Sequence, residues 1–200
     1  MIVSPKRCGH LLGKVVVSRE EFAQKISAAS AAKSSLPSAP VIIARYPPFS
    51  STLSNVSRTD SIQPLGLDEA IARMKQSYSL GAEVAFVEGL LNEEQARKVV
   101  RELHPMPCLL NLATNGSTPN WTVKQAQEMG FKIVIFPLAG AMAAVHGMRE
   151  AYREILESGT DVQSARGMGP KGFFEVVGLN KAMEIDSKAG GAAYHAYEKE

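Results

Sequence analysis

Four short apolar runs punctuate the chain: Val41-Ile42-Ile43-Ala44, Val84-Ala85-Phe86-Val87, Cys108-Leu109-Leu110-Asn111-Leu112 and Ile133-Val134-Ile135-Phe136. Each is close to continuously apolar, not alternating. That is the pattern of parallel strands covered on both faces. Between them the apolar residues take a helical period. Leu67, Ala70, Ile71, Met74 and Tyr78 lie on one helical face, with Asp68 and Glu69 in the first turn and Gly81 as a stop. Asn92 predicts the cap of a second helix whose apolar face is Ala96, Val99, Val100 and Leu103. Thr122 with Gln125 predicts a capping box, closed by Gly130. A longer helix is expected over 139–158, through Met142, Val145, Met148, Tyr152 and Ile155, ending before Gly159. An earlier one is expected over about 19–33, starting at Ser18 with Glu21 in the third position.

Strands alternating with helices mean an α/β fold with a parallel sheet. The repeats between residues 84 and 132 are about 24 residues each, which suits a (β/α) barrel. A doubly wound sheet competes, but no strand is followed by a Gly-rich phosphate turn. One interval breaks the rhythm. Residues 46–58, rich in serine and proline and without helical period, read as an insertion at the C-terminal end of the first strand. After Thr160 a tail over 160–200 carries Gly169-Pro170 and then Phe173, Phe174, Val176, Val177, Leu179, Met183 and Ile185, an apolar helical stretch.

Composition narrows the function classes. Two hundred residues make one medium domain with room for a sizeable core. A net charge of +2 gives no electrostatic case for nucleic acid or an anionic membrane as partner. No apolar run approaches the roughly 20 residues that span a bilayer, and the start lacks a secretory apolar core, so a chain that is not secreted is expected. Two cysteines, Cys8 and Cys108, make a disulfide framework unexpected and a reducing compartment, cytoplasmic or mitochondrial, the expectation.

In a (β/α) barrel the chemistry sits at the C-terminal ends of the strands. The first predicted strand ends in Arg45, with Thr59-Asp60 following the insertion. The second ends in Glu88-Gly89. The third carries Asn111, followed by Thr114, Asn115, Gly116 and Thr118, and the fourth ends at Pro137. A guanidinium, a carboxylate and an amide at one mouth suit a small, anionic, oxygen-rich substrate, with Arg45 offering a fork to a carboxylate and Asn111 and Thr118 neutral hydrogen bonds. Blander readings stand beside these. Arg45 ends an edge strand on the surface, or pairs with Glu88 as a structural bridge. Asn111 is harder to set aside, because an unpaired amide in an apolar strand is costly. Cys108 reads as core. His104, His146 and His195 lack metal-ligand spacing.

The run Pro5-Lys6-Arg7-Cys8-Gly9-His10 is dense in groups that donate protons or bind anions, and Gly13 follows, so it reads as a loop. Arg7 and His10 should lower the pKa of the Cys8 thiol. Together with Val41-Ile42-Ile43-Ala44-Arg45, Thr59-Asp60-Ser61, Gly66-Leu67-Asp68-Glu69-Ala70, Phe86-Val87-Glu88-Gly89 and Asn111, this run resembles the isocitrate lyase/phosphoenolpyruvate mutase superfamily, above all its 2-methylisocitrate lyase and dimethylmalate lyase branch. The resemblance covers nearly the whole chain apart from 46–58.

The resemblance implies a (β/α)8 TIM barrel, of which this chain looks like about the last four βα units with a C-terminal helical segment. It also implies dimers or tetramers built through the C-terminal helices, a homo-oligomer. It implies Mg2+-dependent cleavage of a C–C bond in a 2-hydroxy di- or tricarboxylate by a retro-aldol step. In that reading Cys8 is the acid that protonates the carbanion, Lys6 and His10 flank it, and Arg45, Glu88, Asn111 and Thr118 bind or orient substrate. Arg58, just before Thr59, competes with Arg45 for its role. Phosphonomutases of the superfamily lack the loop cysteine, and its oxaloacetate hydrolases look to carry serine where Pro137 stands; both points favour a lyase. The superfamily's acidic metal ligands lie before the cysteine loop. The chain by itself is therefore expected to be inactive or nearly so, leaving a non-catalytic interaction fragment as the rival reading.

Overall fold

The computed structural model describes residues 18–46 and 66–191, with backbone alone for Arg45 and Tyr46. Four strands form one sheet: β1 (Ile43–Tyr46), β2 (Val84–Val87), β3 (Cys108–Asn111) and β4 (Ile133–Ile135). All three pairings are parallel and the spatial order is β1-β2-β3-β4. A doubly wound sheet reverses its strand order at a switch point, whereas a barrel adds each strand to the last. The sequential order is that of a barrel arc, in agreement with the α/β partial-barrel expectation.

The helices follow from their caps. Helix α1 (Arg19–Lys33) begins where the Ser18 hydroxyl accepts the Glu21 N–H at 3.1 Å. Helix α2 (Gly66–Ser79) buries Ala70, Ile71 and Met74 and leaves Tyr78 exposed. Asn92 caps α3 (Glu93–Leu103) by accepting from Gln95 N at 2.9 Å. The predicted capping box of Thr122 and Gln125 opens α4 (Val123–Glu128). Helix α5 runs Ala139–Ser158, as the period predicts.

Two boundaries differ from expectation. The first strand starts at Ile43, because the ladder begins where Ile43 pairs Val84. Before it, the Ile42 N–H is taken by the Glu83 carboxylate at 3.0 Å, and Val41 is exposed. The strand then runs on through Tyr46. Arg45 is thus an internal strand residue, and Tyr46 belongs to β1 and not to the insertion; residues 47–58 lie outside the described residues. In the tail, the apolar stretch divides into α6 (Pro170–Val176) and α7 (Leu179–Lys188), because Gly178 adopts φ +97°, which ends one helix and admits the next.

The chain divides into two compact units, Met1–Ala139 and Gly140–Glu200. In the first, one sheet face packs Ala44, Ala85, Val87, Cys108 and Leu110 against helix residues such as Met74, Val99 and Leu103. The other face carries Val84, Phe86 and Leu109, with Ile133 and Ile135 against them. Burial on both faces is why the strands read as unbroken apolar runs. Ion pairs fasten the helices of this unit, and two of them tie down α1. Glu69 on α2 receives Arg19 Nε of α1 and Arg73 Nε at 2.7 and 2.8 Å. The hydrogen bond from Arg19, backed by Arg73, holds the Glu69 carboxyl down at about 2. Glu83 pairs with Lys33 at the end of α1 while it accepts from Ile42.

In the second unit no described residue is buried. Within it the Glu154 carboxylate accepts the Gln163 and Ser164 N–H groups at 2.9 and 2.7 Å. The rings of Phe173 and Phe174 meet edge to face, 5.6 Å between centroids. Among the described residues no helix is long and apolar enough to cross a membrane.

Candidate functional site

Side chains alternate across a strand, so residues two apart share a face. Glu88 stands two beyond Phe86, and Asn111 two beyond Leu109. Phe86 and Leu109 are registered partners on the sheet face turned away from the helix-packed core. The alternation therefore delivers a carboxylate and an amide to neighbouring strand ends on the same side. They meet there: Asn111 Nδ2 donates to Glu88 Oε1 at 3.0 Å. Both are nearly closed off, Glu88 at 2% and Asn111 at 8% exposure. Gly89 takes φ +75°, so the backbone turns away directly after the carboxylate.

The other half of the Asn111 amide is unmet. Its Oδ1 is buried with no hydrogen-bond partner among the described residues. Leaving a buried acceptor unsatisfied costs about 1–3 kcal/mol, so this oxygen calls for a partner from outside the described residues, be it a protein group, a water or a ligand. Its complement is a hydrogen-bond donor.

Thr118, in the loop leaving β3, is buried at 3%. Arg45 is in register with Phe86 across the β1–β2 pairing, which places its backbone one strand from Glu88; its side chain lies outside the described residues, as do Lys6, Cys8, His10 and Arg58. The structure thus brings Glu88 and Asn111 together and buries Thr118. Cys108 is core, as expected, and burial pushes its thiol up to about 11, where it is no nucleophile at neutral pH. His104 and His146 are exposed.

Sequence reasoning did not find Asn120, whose amide pairs with that of Asn115 across the β3–α4 loop. The Asn-Gly step at 115–116 was the available signal, since it marks a positive-φ turn in need of an anchor.

Magnesium is the cofactor that the family resemblance implies. Among the described residues no three His, Cys, Asp or Glu side chains gather to hold a metal ion. Glu88, the described carboxylate at the strand ends, is engaged by Asn111. The described residues do not by themselves make a magnesium site, and no step is derived through one.

The profile of the phosphoenolpyruvate phosphomutase family matches residues 10–156. A 2-methylisocitrate lyase of Aeropyrum pernix is 35% identical over 158 residues, covering 79% of this chain and 46% of that protein. A solved 2,3-dimethylmalate lyase, described as a member of the PEP mutase/isocitrate lyase superfamily, superposes with a TM-score of 0.82 at 38% identity, covering 94% of this chain and 58% of its own. A solved oxaloacetate acetylhydrolase superposes equally well, TM-score 0.82 at 41% identity, over 94% and 59%. The chain spans about half the length of the relatives it matches. With its parallel arc, its strand-end carboxylate and amide and a profile match from residue 10 to 156, the chain belongs to the phosphoenolpyruvate phosphomutase family, within the isocitrate lyase/phosphoenolpyruvate mutase superfamily.

Proposed function

We propose that this chain carries the substrate-binding rim of a carbon–carbon lyase that cleaves a 2-hydroxy di- or tricarboxylate of the 2-methylisocitrate kind. The observation that carries the reading is the buried Asn111–Glu88 pair with its unmet acceptor. An amide fixed by a carboxylate on one side and short of a donor on the other is built to receive the hydroxyl or protonated oxygen of such a substrate. Glu88 sets which way the amide faces, because only the Nδ2 end can donate to it. In the retro-aldol step a base takes the hydroxyl proton, the C–C bond breaks to leave a carbonyl product, and the electron pair forms an enolate that is then protonated. Cys8 is assigned as that proton donor, with Lys6 and His10 beside it, and Arg45 or Arg58 as the fork to a carboxylate. Were magnesium held by residues other than the described ones, it would supply stabilisation of developing negative charge.

Turnover by this chain alone is expected to be slight, since the described residues gather no metal-binding cluster. Binding is therefore the deciding measurement. Titration with malate, a 2-hydroxy dicarboxylate whose hydroxyl can donate to Asn111 Oδ1, in the presence of Mg2+ should show affinity that falls about tenfold or more in Asn111→Ala, where the amide is lost. No binding by the unaltered chain, or equal binding by the variant, would overturn the reading. A second reading, hydrolysis of oxaloacetate, is favoured by the 41% identity to the acetylhydrolase. Acetate released from oxaloacetate, with no pyruvate from 2-methylisocitrate, would select it.

The apolar face of α5 belongs to the same proposal. Met142, Val145, Met148, Tyr152 and Ile155 recur at helical spacing and are all exposed. A second copy of the chain is assigned to cover them, as a homo-oligomer.

A further inference from the structure

The chain between β3 and α4 closes on itself. Asn115, at φ +57°, donates its backbone N–H to Asn120 Oδ1 at 3.0 Å, and Asn120 Nδ2 donates back to Asn115 Oδ1 at 2.9 Å. The residues between them form a small ring with Thr118 turned inward, buried, while Asn115, Gly116, Ser117 and Asn120 face solvent. The loop is fastened at both ends as well. Leu112 N donates to Ile135 O at 2.9 Å on β4, Gly116 N to Ala113 O at 2.9 Å, and Trp121 packs against the core just after the ring. Between the two limbs of the ring, the hydrogen bonds among the described residues are the two of the amide pair.

Without the amide pair the chain would be fastened at its ends alone and free to move at its waist. Thr118 lies in that waist, on the loop that leaves β3 directly after Asn111. We propose that Asn115 and Asn120 are positioning residues: their paired amides hold the β3–α4 loop in the one shape that keeps Thr118 inward, and so set the affinity of the strand-end site without touching its ligand. The inference rests on the proposed function for the site, but the clamp itself is measurable without it.

Three versions of the full chain decide it. Asn120→Ala removes both bonds. Asn120→Asp keeps them, because one oxygen accepts the Asn115 N–H and the other accepts Asn115 Nδ2 once that amide turns over. Asn120→Ala is expected to speed hydrogen exchange at the Gly116–Thr118 amides about tenfold, and to weaken malate binding in Mg2+ by a similar factor, with an unchanged melting temperature. Asn120→Asp is expected to restore both. Exchange in Asn120→Ala equal to the unaltered chain overturns the clamp, whether or not malate binds. Fast exchange with undiminished malate affinity overturns the positioning role, as does an Asn120→Asp that behaves like the alanine variant. If the unaltered chain binds no malate, the proposed function fails; the clamp then stands only if the Asn111 side-chain amide resonances shift in Asn120→Ala and return in Asn120→Asp, and falls if they do not move.

Discussion

In the sheet unit Met74, Val99 and Leu110 are 0–1% exposed; in the helical unit Met148, Tyr152 and Ile155 are 50, 63 and 45% exposed. The residues are of the same kind, and a helical period marks an apolar face on α3 and on α5 alike. What differs is what stands opposite. Helix α3 lays Ala96, Val99 and Leu103 on a sheet that the unit itself provides. Helix α5 presents a longer stripe, Met142 to Ile155, to no described partner within its own unit. Periodicity therefore tells which face of a helix is apolar and says nothing of whether the same chain covers it. An apolar stripe of this size calls for a partner surface, and the proposal above gives that place to a second copy.

The strongest way to break the comparison is to remove matching volumes from both units. Leu110→Ala, at the centre of the sheet, is expected to cost about 2–5 kcal/mol in denaturant unfolding, the loss typical of a cavity in a close-packed core. Ile155→Ala on α5, measured at concentrations where the chain is monomeric, is expected to cost well under about 1 kcal/mol. Equal losses would mean that α5 is packed as tightly as β3 and would remove the contrast.

Assembly sharpens the same point. Met148→Asp sets a carboxylate in the middle of the α5 stripe. If that stripe is covered by a second copy, burying the charge should weaken association about a hundredfold or more, read as a shift to the smaller species in sedimentation, with the sheet unit's stability unaltered. A species distribution identical to that of the unaltered chain would take the second copy off this face.

How far the residues alone disclosed this arrangement depends on the range of the interaction. The strands were legible because burial on both faces writes an unbroken apolar run. The caps at Ser18, Asn92 and Thr122 were legible because each is closed by a residue three positions on. Glu88 and Asn111 were legible because each interrupts or ends an apolar strand. Beyond that range the signal fades. The start of β1 depends on where Val84 offers a partner, so Val41 looked like strand and is exposed. Glu69 read as an ordinary first-turn acid, because its bond to Arg19 spans 50 residues and leaves no period. Asn120 left only the indirect trace of the Asn115-Gly116 step, because a side-chain pair across a turn has no repeat to betray it. Gly178 was legible in principle, but the apolar residues on both sides of it read as one helix until its left-handed backbone divided them.

The Glu69 tie gives the next effect in size. Its carboxyl is depressed in the folded chain from 4.5 to about 2, so its contribution is complete above about pH 4.5 and is lost as pH falls toward 2. Glu69→Gln is expected to cost about 1–2 kcal/mol at neutral pH, discounted for the 19% of the side chain that solvent reaches. The variant should also flatten the stability profile between about pH 4.5 and 2. A profile as steep as that of the unaltered chain would show that the two arginines draw their stabilisation elsewhere.

The smallest effect is expected at the matching carboxylate of the helical unit. Glu154 joins no two helices; it gathers the backbone N–H groups of Gln163 and Ser164, and its carboxyl is held below the ordinary range by the Ser164 side chain first and the Gln163 N–H next. A glutamine in its place retains one carbonyl oxygen and turns an N–H2 toward the second donor, so one of the two bonds survives. Glu154→Gln should therefore speed hydrogen exchange a few-fold at one of these two amides and leave the other protected, while the helical content of the unit stays as it was. Loss of protection at both, accompanied by loss of helix, would show that this turn organises the helical unit as the sheet organises its neighbour, and the contrast between a unit with its own core and one without would have to be redrawn.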